Sequence, residues 1–227
     1  MINLAGKKAP KKTTKKKAPA KAAKEELVEE EEGDAGALNQ QLLEMLGLAQ
    51  NPEARSIMLM GDLTEEKSLE IITALIVLSA QVNPETGVPD PIKIYVSTYG
   101  GSADEMFGIY DVMNMCKEKG VIIETVGLGK VMSAGTLILA AGSDGHRKIG
   151  RHTRVMIHAV AGGSMGGLHS ILNEMEQMKG LQESYIQAIS DETDLSKKQV
   201  QGLINRKVNV YLSAEEAIEK GLADGYM

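Results

Sequence analysis

From residue 56 onward, short apolar runs alternate with longer stretches whose apolar positions recur three and four residues apart. A strand-like run at 56–60 precedes a long apolar helical pattern at 64–82. Pro84, Pro89 and Pro91 mark 83–91 as a loop. A second strand follows at 92–97. Ser102 and Glu105 have capping-box spacing, so a helix begins there and runs to Lys119, where Gly120 stops it. A third strand covers 121–126, and an apolar helical run covers 134–141. Upstream, Leu42, Leu43, Met45, Leu46 and Leu48 predict a short amphipathic helix over 39–49.

Strand, helix, strand, helix in this order predicts an α/β domain of parallel βαβ units with right-handed crossovers. In such sheets, sites form beyond the C-terminal ends of the strands. Gly100-Gly101 follows the second strand directly and Ser133 follows the third, so both belong to one edge of the sheet.

A further strand-like run, Arg-Val-Met-Ile, ends at His158. The glycine-rich stretch 159–167 either lies extended, where it pairs with an incoming strand, or forms a flexible loop. From 168 to 189, Leu168, Ile171, Leu172, Met175, Met178, Leu181, Tyr185 and Ile189 mark one face of a long helix. A helix of that length exceeds what a crossover needs and predicts a handle that projects and packs on a neighbour. Ser196 with Gln199 and Ser213 with Glu216 start two later helices, with a short strand at 208–212 between them and Gly221 at the end of the last.

Composition changes this picture mainly at the amino terminus. Residues 1–35 are low-complexity, Lys-rich from Lys7 to Lys24 and then Glu-rich, and cannot bury enough apolar surface to offset their ordering entropy. They are expected to be a disordered tail, with the folded domain at 36–227. A solvated leader is the favoured role; a lysine arm for nucleic acid is the disfavoured one. The 227 residues are 43% hydrophobic with no Trp and one Phe, which implies an aliphatic, Met-rich core. A net charge of −6 argues against nucleic-acid binding by the body. The lone Cys116 excludes an intrachain disulfide and fits a reducing, cytoplasmic setting. No apolar run reaches transmembrane length, no membrane contact is expected, and neither a metal nor a cofactor is called for.

The candidate chemistry lies at Ser133. Small residues surround it (Gly127, Gly129, Ala134, Gly135), as a strand-to-helix turn that exposes a hydroxyl requires. His158 is the candidate base. Backbone N–H groups at Gly100 or Gly101 and at Ala134 are candidates for an oxyanion hole, each donor worth about 3 kcal/mol in the transition state. Taken singly, a serine among glycines is more often a tight turn and a strand-end histidine more often structural; the pairing carries the argument. A Ser-Lys dyad through Lys130 is a lesser alternative.

These residues resemble the caseinolytic protease P (ClpP) family over 61–224. The matching blocks are Gly100-Gly101 with the helix through Gly108-Ile-Tyr-Asp-Val-Met, Val131-Met-Ser-Ala-Gly135, Arg154-Val-Met-Ile-His158 with Gly162-Gly163, and Leu212-Ser-Ala-Glu-Glu-Ala217 with Gly221-Leu-Ala-Asp. The resemblance implies a crotonase-like fold and a serine endopeptidase. It also implies self-association into stacked heptameric rings, a tetradecamer, joined by the long helix. Unfolded polypeptides would be delivered by an AAA+ unfoldase of the ClpX or ClpA type. It assigns Ser133 as nucleophile, His158 as base, Gly100 and Ala134 as the oxyanion hole, and Gly101, Gly162 and Gly163 as substrate-binding positions. Tyr95 falls at the family's unfoldase pocket, or is plain strand packing.

Three departures stand out. Thr98-Tyr99 replaces Ser-Pro before the glycine pair, the lysine tail replaces the axial segment, and the third triad position holds Asn209 in place of Asp. Asp194 and Asp224 are candidate substitutes. Two other readings follow: a weakly active ring subunit with a structural role, and, ranked lower, an acyl-CoA enzyme of the crotonase fold.

Overall fold

The computed structural model describes residues 55–227. The expected helix at 39–49 and the tail at 1–35 lie outside the described residues. The strands are β1 (Ser56–Met60), β2 (Ile92–Thr98), β3 (Ile123–Met132), β4 (Arg147–Ile149), β5 (Arg154–Ile157), β6 (Val210–Leu212) and β7 (Gly225–Tyr226). The helices are α1 (Glu65–Ser79), α2 (Ala103–Glu118), α3 (Ala134–Ala140), α4 (Leu168–Asp191), α5 (Lys197–Ile204) and α6 (Ala214–Glu219).

One seven-stranded sheet runs β1-β2-β3-β4-β7, with β5 pairing both β3 and β6. Every pairing is parallel except β5 with β6. This is the mostly parallel α/β architecture expected. Its core is aliphatic: Leu59, Leu75, Ile94, Ile109, Met113, Ile123, Leu137 and Leu139 are all fully buried.

β3 is the strand that builds the site, and it is longer than its local pattern predicts. The apolar run pauses at Gly127 and Gly129, yet the strand continues to Met132. Its first half pairs with β4 through Thr125–Gly127, and its second half pairs with β5 through Lys130–Met132. Between the halves its register with β2 slips, from Val96 opposite Gly127 to Thr98 opposite Val131. Gly129 (φ +63°) accommodates the bulge, and Thr153 pins it by accepting the Gly129 N–H (3.0 Å) and donating to the Gly127 carbonyl (3.2 Å).

The capping boxes at Ser196/Gln199 and Ser213/Glu216 are complete. At Ser102 only half forms. The Ser102 side chain accepts from the Glu105 N–H, but its own N–H is already donated to the Leu63 carbonyl (3.1 Å), leaving nothing for the Glu105 carboxylate.

α4 has 24 residues, a length of roughly 36 Å. Only its C-terminal part is buried, through Tyr185, Ile186, Ala188 and Ile189. Leu168, Leu172 and Met175 stand exposed on the other half, so the helix projects from the domain. At its base, the buried Arg147 guanidinium donates to the carbonyls of Glu192 and Ala140 and pairs with Asp224, tying handle, α3 and carboxyl terminus together.

Candidate active site

The parallel ladder of β3 on β5 matches Met132 with Met156. Ser133 is the first residue beyond one strand and His158 the first beyond the other, so the ladder itself delivers both to one sheet edge. Ser133 Oγ lies 2.8 Å from His158 Nε2. Ser133 has φ +54° and ψ −120°, a conformation that costs a non-glycine residue about 1–3 kcal/mol. Its surroundings hold it there. The Ser133 N–H donates to the Met156 carbonyl (2.8 Å), and its carbonyl accepts from the Thr136 N–H (2.9 Å) and the Tyr185 hydroxyl (3.3 Å). The hydroxyl stands out at the start of α3, aimed at the histidine.

Burial lowers the His158 pKa below the usual imidazole value. The ring is therefore neutral at pH 7 and free to accept the Ser133 proton. Its other nitrogen has no hydrogen-bond partner among the described residues. Continuing the β5–β6 register one step from Ile157 opposite Val210 sets Asn209 across from His158. The Asn209 side chain is nevertheless exposed and makes no hydrogen bond to the ring. Neither aspartate substitutes. Asp224 is held by Arg147 through its backbone N–H (2.8 Å) and guanidinium, and Asp194 lies beside Gly221 and Arg147. Lys130 is no dyad partner either: its ammonium sits 4.9 Å over the Tyr99 ring.

The glycine pair presses against the nucleophile. Gly100 (φ +107°) lies so close that a Cβ there would stand 2.6 Å from Ser133 Cβ. Its N–H, however, is donated to Thr98 Oγ1 (2.9 Å), which removes it from the oxyanion-hole role expected of it. Thr98 thus closes a short side-chain turn that fixes the loop. Among the described residues, the N–H groups of Gly101 and Ala134 have no partner, and both residues line the cavity that holds Ser133. Gly101 replaces Gly100 as the candidate donor, and Ala134 keeps its place.

That cavity measures about 480 Å³. Tyr99, Asp104, Met106, Met178, Leu181 and Tyr185 also line it, with Ala159, Val160 and Ala161 along one side. Gly162 and Gly163 do not line it. They continue the same extended stretch, and across residues 159–166 no main-chain hydrogen bond is made among the described residues. Tyr95 is half-buried and lines a separate cavity of about 280 Å³ with Val126, Lys148 and Met227. Sequence reasoning gave Tyr185 only as part of an apolar face. A tyrosine in such a face signals a hydroxyl needing a partner, and the partner is the nucleophile's own carbonyl. Burial raises its pKa far above the usual range, so it stays protonated and keeps its O–H to donate to that carbonyl.

A family model described as Clp protease matches residues 46–227. The chain is 33% identical over 170 residues to "ATP-dependent Clp protease proteolytic subunit 1" of Prochlorococcus marinus subsp. pastoris, covering 75% of this chain and 82% of that protein. It is 31% identical over 170 residues to "ATP-dependent Clp protease proteolytic subunit 2" of Parasynechococcus marenigrum, covering 75% of this chain and 81% of that protein.

Proposed function

The chain belongs to the Clp protease family and is a ClpP-like peptidase, and from that premise we propose that Ser133 and His158 make it an active serine endopeptidase. His158 Nε2 takes the Ser133 proton as Oγ attacks the peptide carbonyl. The N–H groups of Gly101 and Ala134 receive the developing oxyanion. His158 then returns the proton to the leaving amine, and a water deprotonated by the same ring releases the acyl group from Ser133. The substrate lies extended along residues 159–163, whose unengaged main chain offers it a strand to pair with.

The observation that carries this reading is the 2.8 Å contact between Ser133 Oγ and a neutral His158, beside two N–H groups without partners among the described residues. A fluorophosphonate tests it. Labelling at Ser133, lost in Ser133→Ala together with peptide turnover, supports it; an unlabelled, folded protein overturns it.

Stacked heptameric rings enclosing the site, an ATP-driven unfoldase of the ClpX or ClpA type, and a cytoplasmic setting complete the proposal. The ATP-driven partner draws on the relatives' names, which read ATP-dependent and subunit; the rings and the type of unfoldase draw on the family resemblance and the projecting α4, and the cytoplasmic setting on the lone cysteine. No helix among the described residues is long and apolar enough to cross a membrane.

One observation favours a second reading, a weakly active ring subunit: with Asn209 exposed, the second nitrogen of His158 has no partner among the described residues. An aspartate there fixes the tautomer and stabilises the imidazolium, worth about 10⁴ in rate in a chymotrypsin-type site. Asn209→Asp is expected to raise peptide turnover, most near neutral pH. Unchanged turnover would remove Asn209 from the site.

A further inference from the structure

The cavity beside Ser133 has an apolar wall and one fixed charge. Met106, Met178 and Leu181 give it a hydrocarbon surface, and His158 is neutral. Among the described residues, Asp104 is the only other ionisable acid or base lining it apart from the two tyrosines. Asp104 is exposed, and no ion pair or side-chain hydrogen bond engages it among the described residues. Lys130, a nearby cation of this chain, rests on the ring of Tyr99. The cavity thus joins a hydrocarbon-lined space to an unneutralised carboxylate, on the same surface as the nucleophile.

Resting on Ser133 as the nucleophile, we propose that Asp104 makes this site select lysine or arginine at the residue preceding the cleaved bond. Those side chains combine an aliphatic stem, which Met178 and Leu181 cover, with a cationic head that reaches water and charge at the rim. An apolar side chain of equal length gains the stem contacts and lacks the head. A glutamate meets Asp104 as a like charge.

The test compares peptides with a fluorogenic leaving group, identical except for lysine, norleucine or glutamate before it, cut by the full-length assembled protein. An ion pair at an exposed rim is worth at most about fivefold, so lysine is expected to exceed norleucine in kcat/KM by about that factor at low salt. The advantage shrinks as salt is added. Asp104→Asn removes it, and Asp104→Lys moves the preference to glutamate.

Asp104 also sits in the first turn of α2, where a carboxylate favours the helix. That role alone would scale all three substrates together, as the control Glu105→Gln in the same turn is expected to do. An unchanged lysine-to-norleucine ratio in Asp104→Asn, with Ser133 still labelled by a fluorophosphonate, overturns this proposal and leaves the peptidase reading standing. Absence of labelling in the wild-type protein ends both.

Discussion

Burial lowers the pKa of His158 from the ordinary imidazole value of 6.5, with two consequences of definite sign. Activity needs the neutral ring, so kcat/KM is expected to rise with pH along a limb centred below pH 6.5 and to be flat through neutrality. A pH profile on a small peptide checks this, and a midpoint above 6.5 contradicts it. Stability follows the same proton. The unfolded chain takes it up near pH 6.5 while the folded chain resists, so His158 subtracts stability as pH falls below 6.5, down to the folded-state pKa. At this scale the serine and histidine were legible as residues, and their contact was not. The Thr98–Gly100 bond was also missed, although a threonine two residues before a glycine is a local turn signal. It moves the expected oxyanion donor by one position, from Gly100 to Gly101.

At the scale of elements, β1 and the caps at Ser196 and Ser213 lie where periodicity and capping chemistry put them. β3 does not, because a strand that changes partners halfway leaves no trace in its own alternation. Gly127 and Gly129 look like a break and are a bend. The bend has an energetic signature. At Gly129 no atom of the described residues lies within 4 Å of an added Cβ, so Gly129→Ala meets only the backbone penalty of φ +63°. A loss of about 1–2 kcal/mol is expected in denaturant unfolding. A neutral outcome would mean that the bulge relaxes without that conformation. The handle length was legible from its apolar face; the link from Tyr185 to the Ser133 carbonyl, which joins that handle to the nucleophile, was not.

At the scale of the molecule, α4 leaves Leu172 and Met175 about half exposed on a projecting helix (51% and 50%). A stable monomer has little use for such a stripe, and packing against a neighbouring subunit, as proposed above, would cover it. Leu172→Glu is expected to shift the protein toward smaller species in sedimentation while the isolated subunit keeps its helical content; an unchanged large oligomer would put the contact elsewhere. The left-handed backbone at Ser133 bears on the molecule as a whole in another way. Glycine adopts that conformation freely, so a population selected for thermal endurance alone would drift toward glycine at position 133 and give up its hydroxyl. Heat-challenged libraries of this chain should therefore be screened for turnover as well, since a survivor with glycine at this residue is relieved of the backbone strain and cuts nothing.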